Sequence, residues 1–299
     1  MNFERPLADR SVPEIPPPDD RIRVIIDTDA KNEIDDQWAL TLALLADERF
    51  KIEGLVGSAF DNHRGGRNSI TDSVEEIERV VEKVGRPVTC PILPGAPPMQ
   101  FSDKPSVSEG VEFIVEKALE SDPDDPIWVI GLGCATDMAS ALLLDERIID
   151  HVVAFWHLRT DWPDRCTNFN VFTDVRAARL LFHAPVPFVL FDTGEQLTCP
   201  MEESQEQVAP YGDIGSYLHE YRHRDSYFAD PEKGFFVLGD IAGLVDPSLA
   251  TWETVEFPRV DYNLRYQFGD NHGQIVRCAD LDRDGVFTLF YDRLQSAYS

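Results

Sequence analysis

Lysine is scarce in this chain: six lysines stand beside twenty-one arginines, against fifty-four acidic residues. The resulting formal charge of −27 leaves no basic footprint, which excludes nucleic acid as an expected partner. No window is long and apolar enough for a membrane span, so no membrane partner is expected either. The amino terminus also lacks the charged-then-apolar pattern of a secretory signal. The five cysteines, at 90, 134, 166, 199 and 278, are odd in number and form no C-x-x-C pair. That argues against a disulfide framework or a zinc site and fits reduced, buried thiols in a cytoplasmic protein. Neither a G-x-x-x-x-G-K-[ST] phosphate loop nor a G-x-S-x-G serine elbow occurs, and Gly131-Leu-Gly133 is too little for a dinucleotide fingerprint. An acidic surface this poor in lysine repels itself, and salt screens that repulsion. Adaptation to a salty cytoplasm is one reading; an ordinary acidic protein is the other.

What is present begins with apolar residues, 43% of 299, enough for a substantial core. Residues 1–20 include Pro13, Pro16, Pro17 and Pro18 and read as a flexible proline-rich arm. From residue 21 to 299 a single α/β domain is expected, with no linker and no internal repeat. Val24-Ile-Ile26, Ile52–Ser58, 126–130, 152–156 and 186–191 read as strands. Between them, apolar residues at helical spacing predict helices from Asp35, over 70–84, 106–120, 134–144 and 174–182. Such alternation implies an open, mostly parallel, doubly wound sheet flanked by helices.

The richest segment is Arg23-Val-Ile-Ile-Asp-Thr-Asp-Ala-Lys-Asn-Glu-Ile-Asp-Asp36, where a strand hands over to a helix. Period-2 alternation points Asp27 and Asp29 to one side, and Asp35 and Asp36 open the helix. An Asp-Asp pair at a helix start ordinarily caps free N–H groups. Two more aspartates at a strand's carboxyl end, where α/β sheets bind ligands, change that reading. Four carboxylates so close repel one another, and a hard divalent cation with oxygen ligands relieves the repulsion.

Asp27-Thr-Asp29 with Asp35-Asp36 resembles the D-x-D-P-G-x-D-D signature of the inosine-uridine preferring nucleoside hydrolase family, with a link two residues longer, as in a divergent branch. Gly133-Cys-Ala-Thr-Asp-Met-Ala139 resembles its G-P-L-T-N-x-A turn, and Asn168-Phe-Asn170 its E-F-N segment. Asp240-Ile-Ala followed by Asp246-Pro247 resembles its D-x-x-A…D-P segment, and the shared order runs from residue 22 to about 250. The resemblance implies a calcium-dependent N-glycosidase acting on ribonucleosides or related N-ribosides. Asp29, Asp36, Asp240 and the Leu132 carbonyl would be calcium ligands, with water and ribose hydroxyls completing the six to eight oxygens calcium accepts. Asp29 would take the proton from a metal-bound water attacking C1′. Asp35, Asn168 and Asn170 would contact substrate, and Asp27 would orient the cluster from behind. A homodimer or homotetramer is also implied.

The sequence departs from the family at Asn168, where glutamate is usual, at Trp156-His157 in place of glycines, and at Gly239 in place of histidine. The spacing of Asp240 and Asp246 is also shorter, making Asp246 a rival ligand. His157, His63 and His223 are candidate acids for the leaving group, and Trp156, Trp162 and Tyr227 candidate stacking partners. Two other readings stay open. One is a haloacid-dehalogenase-type phosphohydrolase with Asp27 as nucleophile; the other is a non-catalytic nucleoside- or ribose-binding protein. Asp280–Gly285 begins like an EF-hand loop but has Tyr291 at the twelfth position and reads as a turn. Arg64-Gly-Gly-Arg67 reads as a surface loop that could also touch an anion.

Overall fold

The computed structural model describes residues 3–60, 68–269 and 272–299. Eight strands form its main sheet: β1 (Ile22–Thr28), β2 (Phe50–Gly57), β3 (Ile92–Pro94), β4 (Ile127–Gly131), β5 (Val152–Leu158), β6 (Phe188–Asp192), β7 (Ala250–Glu256) and β10 (Gln274–Leu281). They lie in the order β3-β2-β1-β4-β5-β6-β10-β7, and β8 (Arg259–Val260) and β9 (Tyr266–Gln267) make a separate small ribbon. Every pairing in the main sheet is parallel except that of β7 with β10. The expected doubly wound sheet is therefore present.

Strand alternation sorts the core into two layers. Val24 and Ile26 of β1 join one apolar cluster, while Ile25 joins the cluster on the other face. Helix α1 (Asp35–Leu45) belongs to the first layer, and all eleven of its residues are buried. It lacks a solvent face because α2 (Ser69–Val84) and α9 (Leu238–Val245) flank it, and Trp38 stacks on Phe290, ring centroids 4.9 Å apart, beside Phe235. α3 (Glu109–Leu119) and α4 (Thr136–Leu144) cover the opposite layer. The helix expected from residue 106 starts later because the Ser108 hydroxyl caps it, accepting from Val111 N at 3.2 Å.

Beyond Asn168 come α5 (Phe169–Thr173), α6 (Val175–Leu181), α7 (Met201–Gln207), α8 (Gly212–Tyr221) and α10 (Arg283–Tyr298). The EF-hand-like segment closes β10 and opens α10, with Asp282 as the helix cap, so it is a strand-to-helix turn. Both edges of the sheet are blunted. β3 is three residues long and ends in Pro94, while β7 alternates half-buried and exposed residues and carries Glu253 and Glu256.

The proline-rich arm is extended, as its composition suggests, but its contacts are more extensive than a free arm allows. Its own Arg10 is buried against the body, donating to the carbonyls of Val186, His272 and Ala184 and stacking on Phe257. Arg49, also buried, donates to the carbonyls of Pro16, Pro17 and Asp20 in the arm and of Leu244 at the end of α9.

Candidate active site

From β1 the chain winds outward through β2 and β3, then returns to β4 on the other side of β1. Ligands of open α/β sheets bind beyond the strand ends at such a reversal. Asp29 follows β1 there, and Leu132 follows β4, its N–H donating 2.7 Å to the Asp27 carbonyl. Gly133 permits this close approach, because a Cβ on it would lie 3.2 Å from Asp29 Cβ and 2.4 Å from Ser58 Oγ.

A cavity opens at this point, and Asp29, Asp35, Asp36, Leu132, Asn168 and Asn170 all line it. Each acid is held by a specific donor. Asn32 Nδ2 donates to Asp29 Oδ2 at 2.9 Å, the Thr28 hydroxyl donates to Asp36 Oδ1, and Val237 N donates to Asp35 Oδ2 at 3.2 Å. Asp240, on the first turn of α9, lies just behind, where His157 Nδ1 stands 2.7 Å from its Oδ2. Its other oxygen, Oδ1, is buried without a hydrogen-bond partner among the described residues. Asn170 donates through Nδ2 to the carbonyls of Leu132 (2.8 Å) and His157 (3.3 Å), which leaves its oxygen as the acceptor it can present. Asn168 is used locally: Oδ1 caps Asn170 N at 2.8 Å, and Nδ2 donates to the Arg159 carbonyl at 3.3 Å.

Electrostatics follow from this crowding. Burial, reinforced by Asp35, raises the Asp29 pKa to about 7, against the opposing bond from Asn32. Burial and then Asp29 and Asp35 raise Asp36 well above the carboxylate range. Asp240 is raised to about 6 by burial, with His157 pulling the other way. Hard oxygen donors in this state suit a divalent cation, and the orphaned Asp240 Oδ1 has no other use in the described structure. The donors surround the cavity rather than closing on one point: among the described residues no three His, Cys, Asp or Glu side chains form a finished ligand set.

Several sequence expectations change place. Asp27 does not line the cavity, because alternation along β1 turns it to the α4 face, where Asp137 is its main charged neighbour. Thr28, not Asp27, faces Asp36; Asp29 reaches the cavity because the strand has already ended. Asp27, the nucleophile of the phosphohydrolase reading, is therefore buried outside the cavity. Trp156 is no stacking partner either: it points opposite to His157, donates to the Gly133 carbonyl at 2.9 Å and packs on Phe182. Trp162 packs on Tyr266, His223 pairs with His219 on α8 and its extension, and Asp246 caps the turn after α9. None of these lines the cavity, whereas His157 and Tyr227 do. His63 and the Arg64–Arg67 loop lie outside the described residues.

The sequence reading missed Glu33, Arg159, Lys233 and Phe236. Lys233 is fully buried with Nζ 2.7 Å from Glu33 Oε2 and 3.9 Å from Asp35 Oδ1, so it offsets part of the acidic charge. Arg159 stacks over Phe236, 4.0 Å from the ring centroid, and both line the cavity with Phe169 and Tyr227. Lys233 and Phe236 come from a loop without periodicity, so only the rarity of lysine marked one of them. A second cleft, between the arm and the strand starts at Arg23 and Trp128, faces the other end of the sheet; its acids, Glu14, Asp20, Asp124, Asp125 and Asp150, are all solvent-exposed, unlike the buried Asp29, Asp35 and Asp36.

A sequence profile of the family described as inosine-uridine preferring nucleoside hydrolase matches residues 24–286. The chain belongs to that family. Its members are N-glycosidases and, in general, metal-dependent hydrolases. No curated protein sequence matches the chain. Among solved structures, a plant nucleoside hydrolase superposes with a TM-score of 0.72 at 19% identity, over 92% of this chain and 99% of its own. A purine-preferring ribonucleoside hydrolase from Gardnerella vaginalis gives 0.71 at 16% identity, over 92% and 98%. An inosine-uridine preferring nucleoside hydrolase from Bacillus anthracis gives 0.70 at 16%, again over 92% and 98%. At such identities the likeness establishes the nucleoside hydrolase fold, in which the carboxylates just described occupy the reversal point of the sheet.

Proposed function

We propose that the protein hydrolyses the N-glycosidic bond of ribonucleosides or related N-ribosides with calcium as its cofactor. The observation that carries this reading is the meeting of Asp29, Asp35, Asp36 and Asn170 in one cavity at the sheet's reversal point, in a chain of the nucleoside hydrolase family. Asp29, Asp36, Asp240 and the Leu132 carbonyl would hold the cation. When bound, it supplies positive charge that orients ribose hydroxyls and favours deprotonation of water.

The remaining chemistry belongs to the chain. Asp29, whose buried carboxylate takes up a proton near neutrality, accepts the proton of the water that attacks C1′. As the C1′–N bond breaks, positive charge grows on the sugar ring, and the acidic cavity wall favours that charge. Asp35, fixed by Val237 N, and the free oxygen of Asn170 accept ribose hydroxyls. Asn168 shapes the wall by fixing α5. His157 holds Asp240 in place, and Phe169, Phe236 and Tyr227 offer faces to a planar base. By family resemblance the protein acts as a homodimer or homotetramer; its unpaired, mostly buried cysteines suit the cytoplasm, and residues 21–299 form one domain in this reading.

Incubation with a nucleoside panel and calcium tests this reading by the appearance of free ribose and base. Tight nucleoside binding without ribose would instead support a binding protein. Phosphate release from a phosphomonoester with magnesium would support the phosphohydrolase.

A further inference from the structure

We propose that His219 and His223 form a binding site for a divalent transition-metal ion such as zinc, separate from the carboxylate cavity. Helix α8 continues past Tyr221 into a tighter turn over Arg222–Arg224, which keeps residues 219 and 223 on one face, four apart. Their Nε2 atoms are 3.4 Å apart, and the rings are nearly perpendicular at 85°. Two imidazole nitrogens, each about 2.0–2.1 Å from one tetrahedral zinc, stand roughly 3.3–3.4 Å from each other. The observed spacing is that of two ligands sharing one ion.

The tautomer also agrees. The Ser204 hydroxyl lies 3.1 Å from the Met201 carbonyl and 2.8 Å from His219 Nδ1; by donating to the carbonyl it can accept from Nδ1–H. In that tautomer His219 carries its proton on Nδ1 and presents a bare Nε2 lone pair towards His223. A metal-binding histidine has this arrangement, with its second nitrogen donating to a fixed acceptor.

The surroundings leave room for an ion. Both histidines line an open cavity with Gln205, Ser216 and Glu220, where water can complete the coordination and Glu220 adds negative charge. The nearby cations are turned aside: Arg222 donates to the Cys199 carbonyl at 2.6 Å, and Arg224 lies over the Tyr221 ring. Imidazole selects zinc, nickel or copper over calcium, so the two sites differ in the ions they take.

Calorimetric titration of the full chain with zinc chloride, in saturating calcium, tests the site. One zinc ion is expected to bind, and cobalt(II) to give a visible d–d absorption band. His223→Ala, at an exposed position that folding tolerates, should weaken zinc binding at least tenfold, and His219→Gln should do the same. No binding up to millimolar zinc, or affinity in both variants equal to that of the parent chain, would overturn the proposal and leave the pair as a plain His223-to-His219 hydrogen bond.

Discussion

Asp29→Asn keeps the size of the side chain and an oxygen for Asn32 to bond, but removes the base. Ribose release should fall about 10²- to 10⁴-fold, the usual worth of general-base help, while nucleoside affinity changes far less. An activity within threefold of the parent would exclude Asp29 as the base. Asp137 offers a contrast, because the same change there should stabilise. Burial raises its pKa to about 7, aided by Asp174 and opposed by the Ala96 N–H, and its Oδ2 is buried without a partner among the described residues. A carboxyl with a raised folded pKa binds more protons folded than unfolded, so its ionisation erodes stability as pH climbs from about 4 to about 7. Asp137→Asn can still accept from Ala96 N, and should raise the melting temperature most at about pH 8 and least near pH 4. A gain that is the same at both pH values would show that ionisation of Asp137 is not its source.

At the scale of elements, Arg49 of the body ties down the last third of the arm. Arg49 bonds four carbonyls, three in the arm and one at the end of α9. Arg49→Ala strands those carbonyls and should cost roughly 3 kcal/mol, with faster proteolysis within residues 10–20. Unchanged proteolysis would show that Arg10 alone is sufficient. Legibility also varied by element. Strands β1, β4 and β5 and the fully buried α1 were plain in the sequence, because continuous apolar runs signal burial on both faces. The side to which Asp27 turns was not plain, because alternation ends at Thr28 and sequence does not say where a strand stops. Nor were Lys233 and Phe236, since a loop with no period is placed by its contacts and not by a local pattern. The region after residue 250 escaped for a related reason: β7 is half-exposed and antiparallel, unlike the strands before it.

The whole molecule carries its acidity both outside and inside. A formal charge of −27 with six lysines should make the fold more stable as salt screens repulsion, so the melting temperature should rise between low and molar sodium chloride. A flat profile would count against salt adaptation. Calcium should act beyond screening, because it competes with protons for Asp29, Asp36 and Asp240. Its stabilisation over an equal ionic strength of sodium chloride should be larger near pH 8 than near pH 5.5, as differential scanning fluorimetry can record. No excess stabilisation at the higher pH would remove the cation from these residues.

The two ends of the central sheet limit how copies of this protein associate. A three-residue strand closed by proline on one side, and a glutamate-bearing ribbon on the other, give an incoming backbone little to zip onto. Growth by strand addition, whether into an ordered filament or a tangled precipitate, is thereby discouraged. Helices and loops are then the better surfaces for subunit contact, because their side chains can specify a partner where a bare hydrogen-bonding ladder cannot.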